Sequence, residues 1–426
     1  MMTVDLQDMV KKKTCKAKQA SRKLTMVSAR EKNEALMRMG EKLWQMRERI
    51  FEANQKDLDA AIQNGLSKAK QDRLLLNEKR LADMIEGLNV LVQSSDPVGE
   101  VMETHCRPNG LKVDKVRVPF GVIAIIYESR PNVTVDAAGL ALKAGNAIVL
   151  RGGKEAIFSN QALVRVMCEG LAETQIPVDA IQLIERTERD TIDYLIRDKE
   201  SVDLVIPRGG AGLIQRVVQN AHVPVIETGV GNCHIYVHAS ADLKMARSVV
   251  VNAKTQRPSV CNAMETLLVD QGIAEEFLPF LARELAARGV QVKGCEQTCR
   301  ILQNESSLKI EPAAEEDYDT EFLDLILAVK VVRGTGEALR HIERFGTGHS
   351  EAIIAEDQKA ADAFLTQVDA AAVYHNASTR FTDGAEFGFG AEMGISTQKL
   401  HARGPMGLKE LTSYKYVIRG TGQVRE

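Results

Sequence analysis

The feature that most constrains the fold is a regular alternation of short apolar runs and amphipathic stretches between Gly121 and Glu227. The runs GVIAIIYE, NAIVLRGG, AIQLIE, VDLVIP and VPVIE are predicted strands, and the stretches between them have helical spacing. Strands that alternate with helices predict right-handed βαβ units around a parallel sheet. Ligands of such sheets bind beyond the carboxyl ends of the strands.

Glycines and cations collect at those predicted strand ends. The ends read Tyr127-Glu128-Ser129, Arg151-Gly152-Gly153-Lys154, Pro207-Arg208-Gly209-Gly210 and Glu227-Thr228-Gly229. Their position indicates a site for a phosphate-bearing cofactor. Neither G-x-G-x-x-G nor the P-loop motif is present, because Glu155 follows Lys154 where a P-loop has Ser or Thr. Taken alone, the RGGK sequence is equally compatible with a turn that carries a solvated lysine.

Length and composition bound the class of protein. A chain of 426 residues is too long for one hydrophobic core, so two or three domains are expected. The net charge of −3 argues against a nucleic-acid partner. An odd number of cysteines, seven, fits a reducing compartment. Without a signal sequence or a bilayer-spanning apolar stretch, we expect a soluble, cytoplasmic protein with no membrane partner.

The regions around this core are predicted from local patterns. Residues 28–92 read as helices whose apolar side chains recur at steps of three and four, which favours core packing over a cofactor-binding stripe. The residues of this stripe are Leu36, Met39, Leu43, Met46 and Ile50.

A β-hairpin is predicted around Asn109-Gly110, a pair that suits a type I′ turn, with valines on the second strand. The C-terminal sequence TSYKYVIRGTGQVRE is also β-rich. We predict that hairpin and tail pair across a subunit interface, which makes the protein a homo-oligomer. An intramolecular flap is the alternative.

No metal site is predicted. Cys295 and Cys299 lack a second ligand pair at zinc-site spacing. His234 and His238 lie on a predicted strand, where four residues span about 13 Å, too far for two ligands of one metal.

Cys261 is the candidate nucleophile, in the sequence TQRPSVCNAMETLLV. A break containing Pro258 precedes it, and we predict that it lies beside the start of a helix and near Arg257, where a thiolate is stabilised. Such a thiolate attacks an activated acyl group or an aldehyde, and backbone N–H groups of the turn would hold the oxyanion. These residues alone leave open the alternative of a buried, inert cysteine.

Several blocks resemble a known superfamily. The segment from Val118 to Ala156 resembles the cofactor-domain core of the aldehyde dehydrogenase superfamily, and ETGVGNCHIYV resembles its glutamate motif, with Glu227 in the glutamate place. Cys261 follows at a spacing close to that between the superfamily's glutamate and nucleophile. Within the superfamily, YESRPNVT, QRPSVCNAMETLLV, HIERFGTGHSEAII and GISTQKLHARGPMGL are similar to blocks of the gamma-glutamyl phosphate reductase family, in order along nearly the whole chain.

The resemblance implies an α/β fold of the aldehyde dehydrogenase type, with two parallel-sheet domains and a small β oligomerisation flap. Residues 1–102 and 119–227 would form the cofactor-binding domain, and 228–404 the catalytic domain with the nucleophilic cysteine. Residues 103–118 and 405–426 would form the oligomerisation hairpin and tail.

The resemblance also implies an activity, the NADPH-dependent reduction of L-glutamyl 5-phosphate to L-glutamate 5-semialdehyde and phosphate through a Cys261 thioester. This is the second step of proline biosynthesis, and the labile substrate suggests transient contact with a separate glutamate 5-kinase. A hydrolytic NAD(P)-dependent aldehyde dehydrogenase is the alternative, although RPSVCN and the altered glutamate motif count against it. A non-catalytic scaffold is the competing hypothesis from another class.

Site residues are carried over from the matching motifs. Asn132 is implied as an oxyanion donor. Arg151 would meet the adenosine ribose or its 2′-phosphate, which suits NADPH, and Glu321 would hold the nicotinamide ribose. The full cofactor set is Arg151, Gly152, Lys154, Gly209, Gly210 and Glu321. The substrate set, chosen because the substrate carries a phosphate and a carboxylate, is Arg257, His349, Lys399 and Arg403. A reductase must keep water off its thioester, so Glu227 is expected to have only a structural role.

Overall fold

The computed structural model describes residues 2–425, which divide into two compact units. The first unit comprises the chain up to Thr228, Gly388–Gly394 and the chain from Met406; the second comprises Gly229–Phe387 and Ile395–Pro405.

The segment Gly388–Gly394 departs from the predicted boundaries, which placed it in the catalytic domain. It belongs to the first unit because its end is hydrogen-bonded to the returning chain. The backbone N–H of Met393 donates to the carbonyl of Met406 (2.8 Å), and the N–H of Met406 donates to the carbonyl of Gly394 (2.8 Å).

The first unit begins with five helices, as the periodicity of its sequence predicts for residues 28–92. They are α1 (Met2–Leu24), α2 (Ala29–Gln45), α3 (Arg47–Gln63), α4 (Lys68–Leu74) and α5 (Glu78–Gln93). Ser28 caps α2 with a reciprocal capping box to Glu31. Leu36, Met39 and Leu43 of α2 are fully buried, so the predicted core role of the apolar stripe is confirmed.

The core of the first unit is a four-stranded parallel sheet in the order β5-β4-β3-β6. Its strands are β3 (Val122–Tyr127), β4 (Ala147–Gly152), β5 (Ile181–Leu183) and β6 (Leu204–Arg208). Its helices are α6 (Asn132–Lys143), α7 (Ile157–Leu171), α8 (Asp190–Arg197) and α9 (Ala211–Asn220). Every residue of β3 and β4 is buried, as expected for strands covered on both faces. The predicted strand VPVIE is wrong, because Val225 makes only an isolated bridge to Val205.

A second sheet of the first unit is antiparallel, in the order β1-β2-β16. Its strands are β1 (Val101–Cys106), β2 (Lys112–Pro119) and β16 (Thr412–Arg419). The predicted hairpin is present, but its turn is not type I′. A type I′ turn needs a positive φ at both central residues, whereas of the Asn109-Gly110 pair only Gly110 has one (+88°). The backbone N–H of Gly110 donates to the carbonyl of Arg107. The tail strand β16 pairs with β2 of the same chain, so the predicted pairing across a subunit interface is wrong and the intramolecular alternative is correct.

The second unit contains a seven-stranded parallel sheet in the order β10-β9-β11-β8-β7-β12-β13. Its strands are β7 (Cys233–Val237), β8 (Met264–Asp270), β9 (Gln291–Gly294), β10 (Ile310–Pro312), β11 (Ile326–Val332), β12 (Ser350–Ile354) and β13 (Ala372–His375). Its helices are α10 (Leu243–Thr255), α11 (Ala274–Ala287), α12 (Glu296–Leu302), α13 (Thr335–Phe345) and α14 (Gln358–Gln367). A two-residue ladder joins β14 (Ile395–Ser396) to β15 (Gly404–Pro405).

Short 3₁₀ turns complete the secondary structure at Lys154–Ala156, Val178–Ala180, Glu315–Asp319 and Thr379–Phe381. Over residues 2–425, no helix combines the length and apolar character needed to cross a bilayer. The same part of the chain holds no cluster of three or more His, Cys, Asp or Glu side chains placed to bind a metal.

Candidate active site

The carboxyl ends of β3, β4 and β6 lie side by side in the first unit. The register pairs Tyr127 with Gly152 on one side and with Arg208 on the other. Glu128, which follows β3, accepts the backbone N–H of Gly210 through Oε2 (3.1 Å). The structure therefore brings the predicted residues Gly152, Lys154, Gly209 and Gly210 to one edge of the sheet.

The two glycines after β6 have different physical roles. A Cβ on Gly209 would lie 2.7 Å from Oε2 of Glu128, so glycine permits the carboxylate to approach the backbone. A Cβ on Gly210 would meet nothing within 4 Å. Gly210 caps α9 without a side-chain hydrogen bond, and the following Ala211 and Gly212 are exposed. The small, exposed first turn of α9 leaves backbone N–H groups accessible to a phosphate.

Gly152 is required by the packing behind the strand ends. A Cβ there would lie 2.1 Å from Nδ2 of Asn160 and 3.2 Å from Cζ of Tyr127. Asn160 is fully buried; its Oδ1 accepts from Oγ1 of Thr134 (2.9 Å), whereas its Nδ2 has no hydrogen-bond partner. Because buried amide groups are almost always hydrogen-bonded, this Nδ2 is an unmet donor behind the strand ends, where an acceptor would stabilise it.

Arg151 is not presented as a free cation, contrary to its predicted contact with the adenosine ribose or 2′-phosphate. Its residue is only 7% exposed. Its guanidinium donates to the carbonyls of Gly152 (3.1 Å) and Thr187 (2.7 Å). The guanidinium also donates to the carbonyl of Glu188 (3.3 Å) and to Oγ1 of Thr191 (3.5 Å), so in this conformation it holds the loop before α8 and most of its N–H donors are used. Lys154, by contrast, is exposed and is a cation able to meet a phosphate at this edge.

Asn132 is the first residue of α6 and is exposed. Its Nδ2 donates to Oδ2 of Asp136 (3.0 Å), one helical turn away. Burial raises the pKa of Asp136 to about 6, against the opposing effects of Asn132 and Arg208. The predicted role of Asn132 as an oxyanion donor stays a prediction. To donate its Nδ2 to an oxyanion, Asn132 would have to break its hydrogen bond to Asp136.

The raised pKa of Asp136 predicts a pH-dependent stability. Its carboxyl has an ordinary pKa of 3.8 and a folded pKa of about 6, so between these values the folded state binds more protons than the unfolded state. Raising the pH through that window therefore destabilises the fold. Relative to Asp136→Asn, the wild-type protein should lose thermal stability between pH 4.5 and about 6.5, measured by calorimetric melts. Parallel melting profiles for the two proteins would contradict this assignment.

Cys261 lies in a turn between the end of α10 and the start of β8 in the second unit. The predicted helix start at this cysteine is wrong, because the apolar run that follows it forms a strand buried along its whole length. Cys261 is partly exposed, whereas the neighbouring Cys233 is buried. Cys261 is thus partly accessible, and the turn that carries it continues into a strand and not into the predicted helix.

The backbone of Cys261 is fixed by close packing against the chain before β7. A Cβ on Gly231 would lie 1.5 Å from the carbonyl oxygen of Cys261, so glycine is essential there. The thiol of Cys233 donates to the same carbonyl (3.2 Å). Glu321 accepts the N–H of Gly231 through Oε1 (2.8 Å), so this predicted cofactor ligand also supports the nucleophile's loop.

Two arginines belong to the immediate surroundings of Cys261. Arg257, predicted to bind substrate, is exposed four residues before it. Arg380, which sequence reasoning missed, donates through Nε to Oε1 of Gln256 (2.8 Å), and through Nη1 it is hydrogen-bonded to Oδ1 of Asn262. Gln256 and Asn262 flank the cysteine, so Arg380 spans the loop that carries it.

The remaining predicted substrate residues are otherwise engaged. His349 is fully buried, with Nδ1 2.8 Å from Oγ of Ser350, so it packs inside the unit and is not available to a substrate in this conformation. Lys399 and Arg403 both pair with Asp369, at 2.5 and 2.7 Å. Any anion bound by these two cations must compete with that carboxylate.

A buried ion pair near the loop was not predicted. Nζ of Lys254 lies 2.5 Å from Oε2 of Glu265, and neither side chain is exposed. Burial raises the pKa of Glu265 to about 7 and lowers the pKa of Lys254. Oε1 of Glu265 accepts the N–H of Leu323 (3.1 Å), which anchors the segment that carries Glu321. The sequence signal that could have revealed this pair is Glu265, a charged residue within the apolar run that forms β8.

With this geometry described, comparison with known proteins gives the family. The model of the aldehyde dehydrogenase family matches residues 4–300. The chain therefore belongs to the aldehyde dehydrogenase family, oxidoreductases that act with nicotinamide cofactors on small-molecule substrates. An acetylating aldehyde dehydrogenase from Geobacillus thermoglucosidasius shares this fold, with a TM-score of 0.72 at 20% identity and 100% and 99% of the two chains covered.

Full-length relatives narrow the assignment. The chain is 60% identical over 410 residues to the gamma-glutamyl phosphate reductase of Carboxydothermus hydrogenoformans, covering 96% of this chain and 98% of the relative. The crystal structure of the gamma-glutamyl phosphate reductase of Thermotoga maritima is similar with a TM-score of 0.94 and 52% identity, over 98% of this chain and all of the other. Within the aldehyde dehydrogenase family, the chain belongs to the gamma-glutamyl phosphate reductases, which confirms the resemblance and the predicted fold class.

Proposed function

We propose that this enzyme reduces L-glutamyl 5-phosphate to L-glutamate 5-semialdehyde and phosphate with NADPH, through a thioester on Cys261, as the second step of proline biosynthesis. The observation that carries the proposal is an accessible cysteine on a rigid loop flanked by two arginines. Relatives at 60% and 58% identity over nearly the whole chain are named for gamma-glutamyl phosphate reduction, which supports the same substrate.

Thioester formation follows from the chemistry of these groups. The Cys261 sulfur forms a bond to the acyl carbon while the bond from that carbon to the phosphate oxygen breaks, and the phosphate leaves with the electron pair. Phosphate is a good leaving group at neutral pH, so no strong general acid is needed. After reduction of the acyl carbon, the same sulfur leaves as the aldehyde forms. Cys261 thus serves first as nucleophile and then as leaving group.

The first unit fits a phosphate-bearing nicotinamide cofactor. The buried Nδ2 of Asn160 lacks an acceptor, and the first turn of α9 offers exposed backbone around Gly210 and Gly212. Lys154 would add a cation for a 2′-phosphate, which favours NADPH. Glu321 belongs to the second unit, and its role at the nicotinamide ribose rests on the family resemblance. When bound, the cofactor supplies the hydride that reduces the thioester. Gly209 holds the backbone close to Glu128, which keeps this edge ordered.

The surroundings of Cys261 favour phosphate chemistry over hydrolysis. Cations beside a nucleophile suit an acyl phosphate, whose leaving group is an anion, more than a neutral aldehyde. The thioester must survive until it is reduced, so a water-activating base beside it is unwanted. We therefore assign Glu227 no catalytic role, and the hydrolytic aldehyde dehydrogenase remains the alternative.

The assay that separates the two runs in the oxidative direction, with semialdehyde and NADP⁺. The proposed enzyme should turn over only with phosphate or arsenate, with activity at least about 20-fold lower in their absence, because water does not replace phosphate as the acceptor of the acyl group. A hydrolytic enzyme would oxidise the semialdehyde equally well without either anion, and that result would overturn the proposal.

Two association properties complete the proposal. The antiparallel sheet of the first unit exposes Tyr414, Tyr416 and Ile418. This apolar surface supports a homo-oligomer, which analytical ultracentrifugation tests.

Transient contact with a glutamate 5-kinase would protect the labile acyl phosphate, and cross-linking of the two purified enzymes tests it. We also infer a reducing, cytoplasmic location, supported by the absence of any disulfide among the seven cysteines of residues 2–425, to be checked by fractionation.

A further inference from the structure

Arg380 is held across the loop that carries the nucleophile. Its 3₁₀ turn, Thr379–Phe381, is joined to Asn262, the residue after Cys261, by several hydrogen bonds. Oγ1 of Thr379 donates to the carbonyl of Asn262 (2.8 Å), and Nδ2 of Asn262 donates to the carbonyls of Arg380 (3.3 Å) and Thr382 (2.8 Å). The guanidinium is therefore positioned relative to Cys261 by two segments far apart in the sequence.

This guanidinium has donors to spare. Nε bonds to Gln256 and Nη1 to Asn262, both neutral amides. Within residues 2–425, the ion pairs within 4.0 Å include neither Arg380 nor Arg257. Because a guanidinium carries five N–H donors, two side-chain acceptors leave part of the fork available.

The charge of Arg380 is only partly compensated by its surroundings. Burial lowers the pKa of Arg380, and the charge of Arg257 lowers it further, against the weaker opposing effects of Asp383 and Cys261. Two like charges that influence one another at a partly buried position cost free energy unless an anion joins them. An anion placed between the two guanidinium groups would remove that repulsion.

We propose that Arg380 and Arg257 together form the subsite for the phosphoryl group of the acyl phosphate, and for the phosphate released from it. The inference rests on the proposed function. The phosphoryl group is attached to the very carbon that Cys261 attacks, whereas the α-carboxylate of a glutamyl group lies further carbons away, so arginines flanking the cysteine meet the phosphate first. Guanidinium forks bind phosphate oxygens through paired N–H donors.

In this subsite the charge of the leaving phosphate is stabilised as it forms. The sulfur–carbon bond forms, the carbon–oxygen bond to phosphate breaks, and the electron pair remains on phosphate beside the two arginines. In the oxidative direction the same groups hold inorganic phosphate for attack on the thioester. The subsite therefore affects phosphate specifically and leaves binding of the semialdehyde unchanged.

The experiment measures both Michaelis constants in the oxidative direction, with inorganic phosphate and semialdehyde varied separately. Arg380→Gln should raise the KM for phosphate at least about tenfold and leave the KM for semialdehyde within about twofold. Arg380→Lys keeps the charge but loses the fork, so its KM for phosphate should lie between those of wild type and Arg380→Gln. The matched control is Arg247→Gln, a partly buried arginine of the same unit that stacks on Phe280.

The outcomes separate this inference from the proposed function. If the wild-type enzyme needs no phosphate, the proposed function fails before any variant is considered. If it needs phosphate and Arg380→Gln leaves the KM for phosphate unchanged, the subsite is refuted. An equal loss in both Michaelis constants would show that Arg380 only braces the loop and would also refute it. Should Arg380→Gln not fold, the split between the two constants in Arg380→Lys decides in the same way.

Discussion

Replacing Cys261 with serine is expected to lower kcat for semialdehyde oxidation by about 10³-fold or more, with thermal stability close to that of the wild-type protein. A serine hydroxyl is similar in size to a cysteine thiol, so the fold should tolerate it. The hydroxyl is far less nucleophilic than the thiol, because almost no serine hydroxyl is ionised at neutral pH. The cysteine is partly exposed in its turn, so the substitution leaves no cavity in the core. Steady-state rates with saturating phosphate and a melting curve measure the two effects.

The matched control is Cys299→Ser in the same unit. Cys299 is also partly exposed, and its thiol donates to the carbonyl of Gly294 (3.3 Å), a bond that a serine hydroxyl can make. This variant should keep its full rate. Intact-protein mass spectra with acyl phosphate and no reductant should show a covalent acyl adduct that Cys261→Ser lacks. More than about a tenth of wild-type kcat in Cys261→Ser would exclude the thioester mechanism.

The parallel sheet of the first unit could be predicted because each strand is a compact apolar run followed by a helix with clear periodicity. The same reasoning failed for VPVIE, where Val225 makes a single bridge. Composition describes what a segment is able to form, whereas the number of hydrogen-bonded partners depends on which strand lies beside it. The helix start predicted at Cys261 failed for a related reason, since a short apolar run fits a buried strand and a helix equally well.

Side-chain roles were harder to predict than elements. Arg151 and His349 have the right residue types for binding anions, but both are buried and hydrogen-bonded within their units. Burial depends on what packs against a residue, which no local pattern reports. Arg380 was missed for the opposite reason: 119 positions separate it from Cys261, and only the tertiary fold brings its guanidinium to the loop.

Gly231→Ala should be the most damaging single-methyl change in the second unit. The new Cβ would lie 1.5 Å from the carbonyl oxygen of Cys261, 2.3 Å from its carbonyl carbon and 2.7 Å from its Cα. All three are backbone atoms, so no side-chain rotation relieves the overlap and the nucleophile's loop must move. We expect a loss of about 3 kcal/mol in unfolding free energy and, because an ångström of displacement disrupts attack geometry, about 100-fold in kcat/KM.

Gly336→Ala in the first turn of α13 is the control for this change. Its Cβ would approach only Nη1 of the Arg340 side chain, at 3.6 Å, an ordinary contact with a flexible group. The control should be unchanged or gain up to about 1 kcal/mol, because alanine is the better helix former. Denaturant unfolding and kcat/KM of both variants give the comparison. The contradicting outcome is a Gly231→Ala variant that matches Gly336→Ala in both measurements. That result would show that the Cys261 carbonyl is not in van der Waals contact with Gly231, and it would refute the rigid packing that positions the thiol.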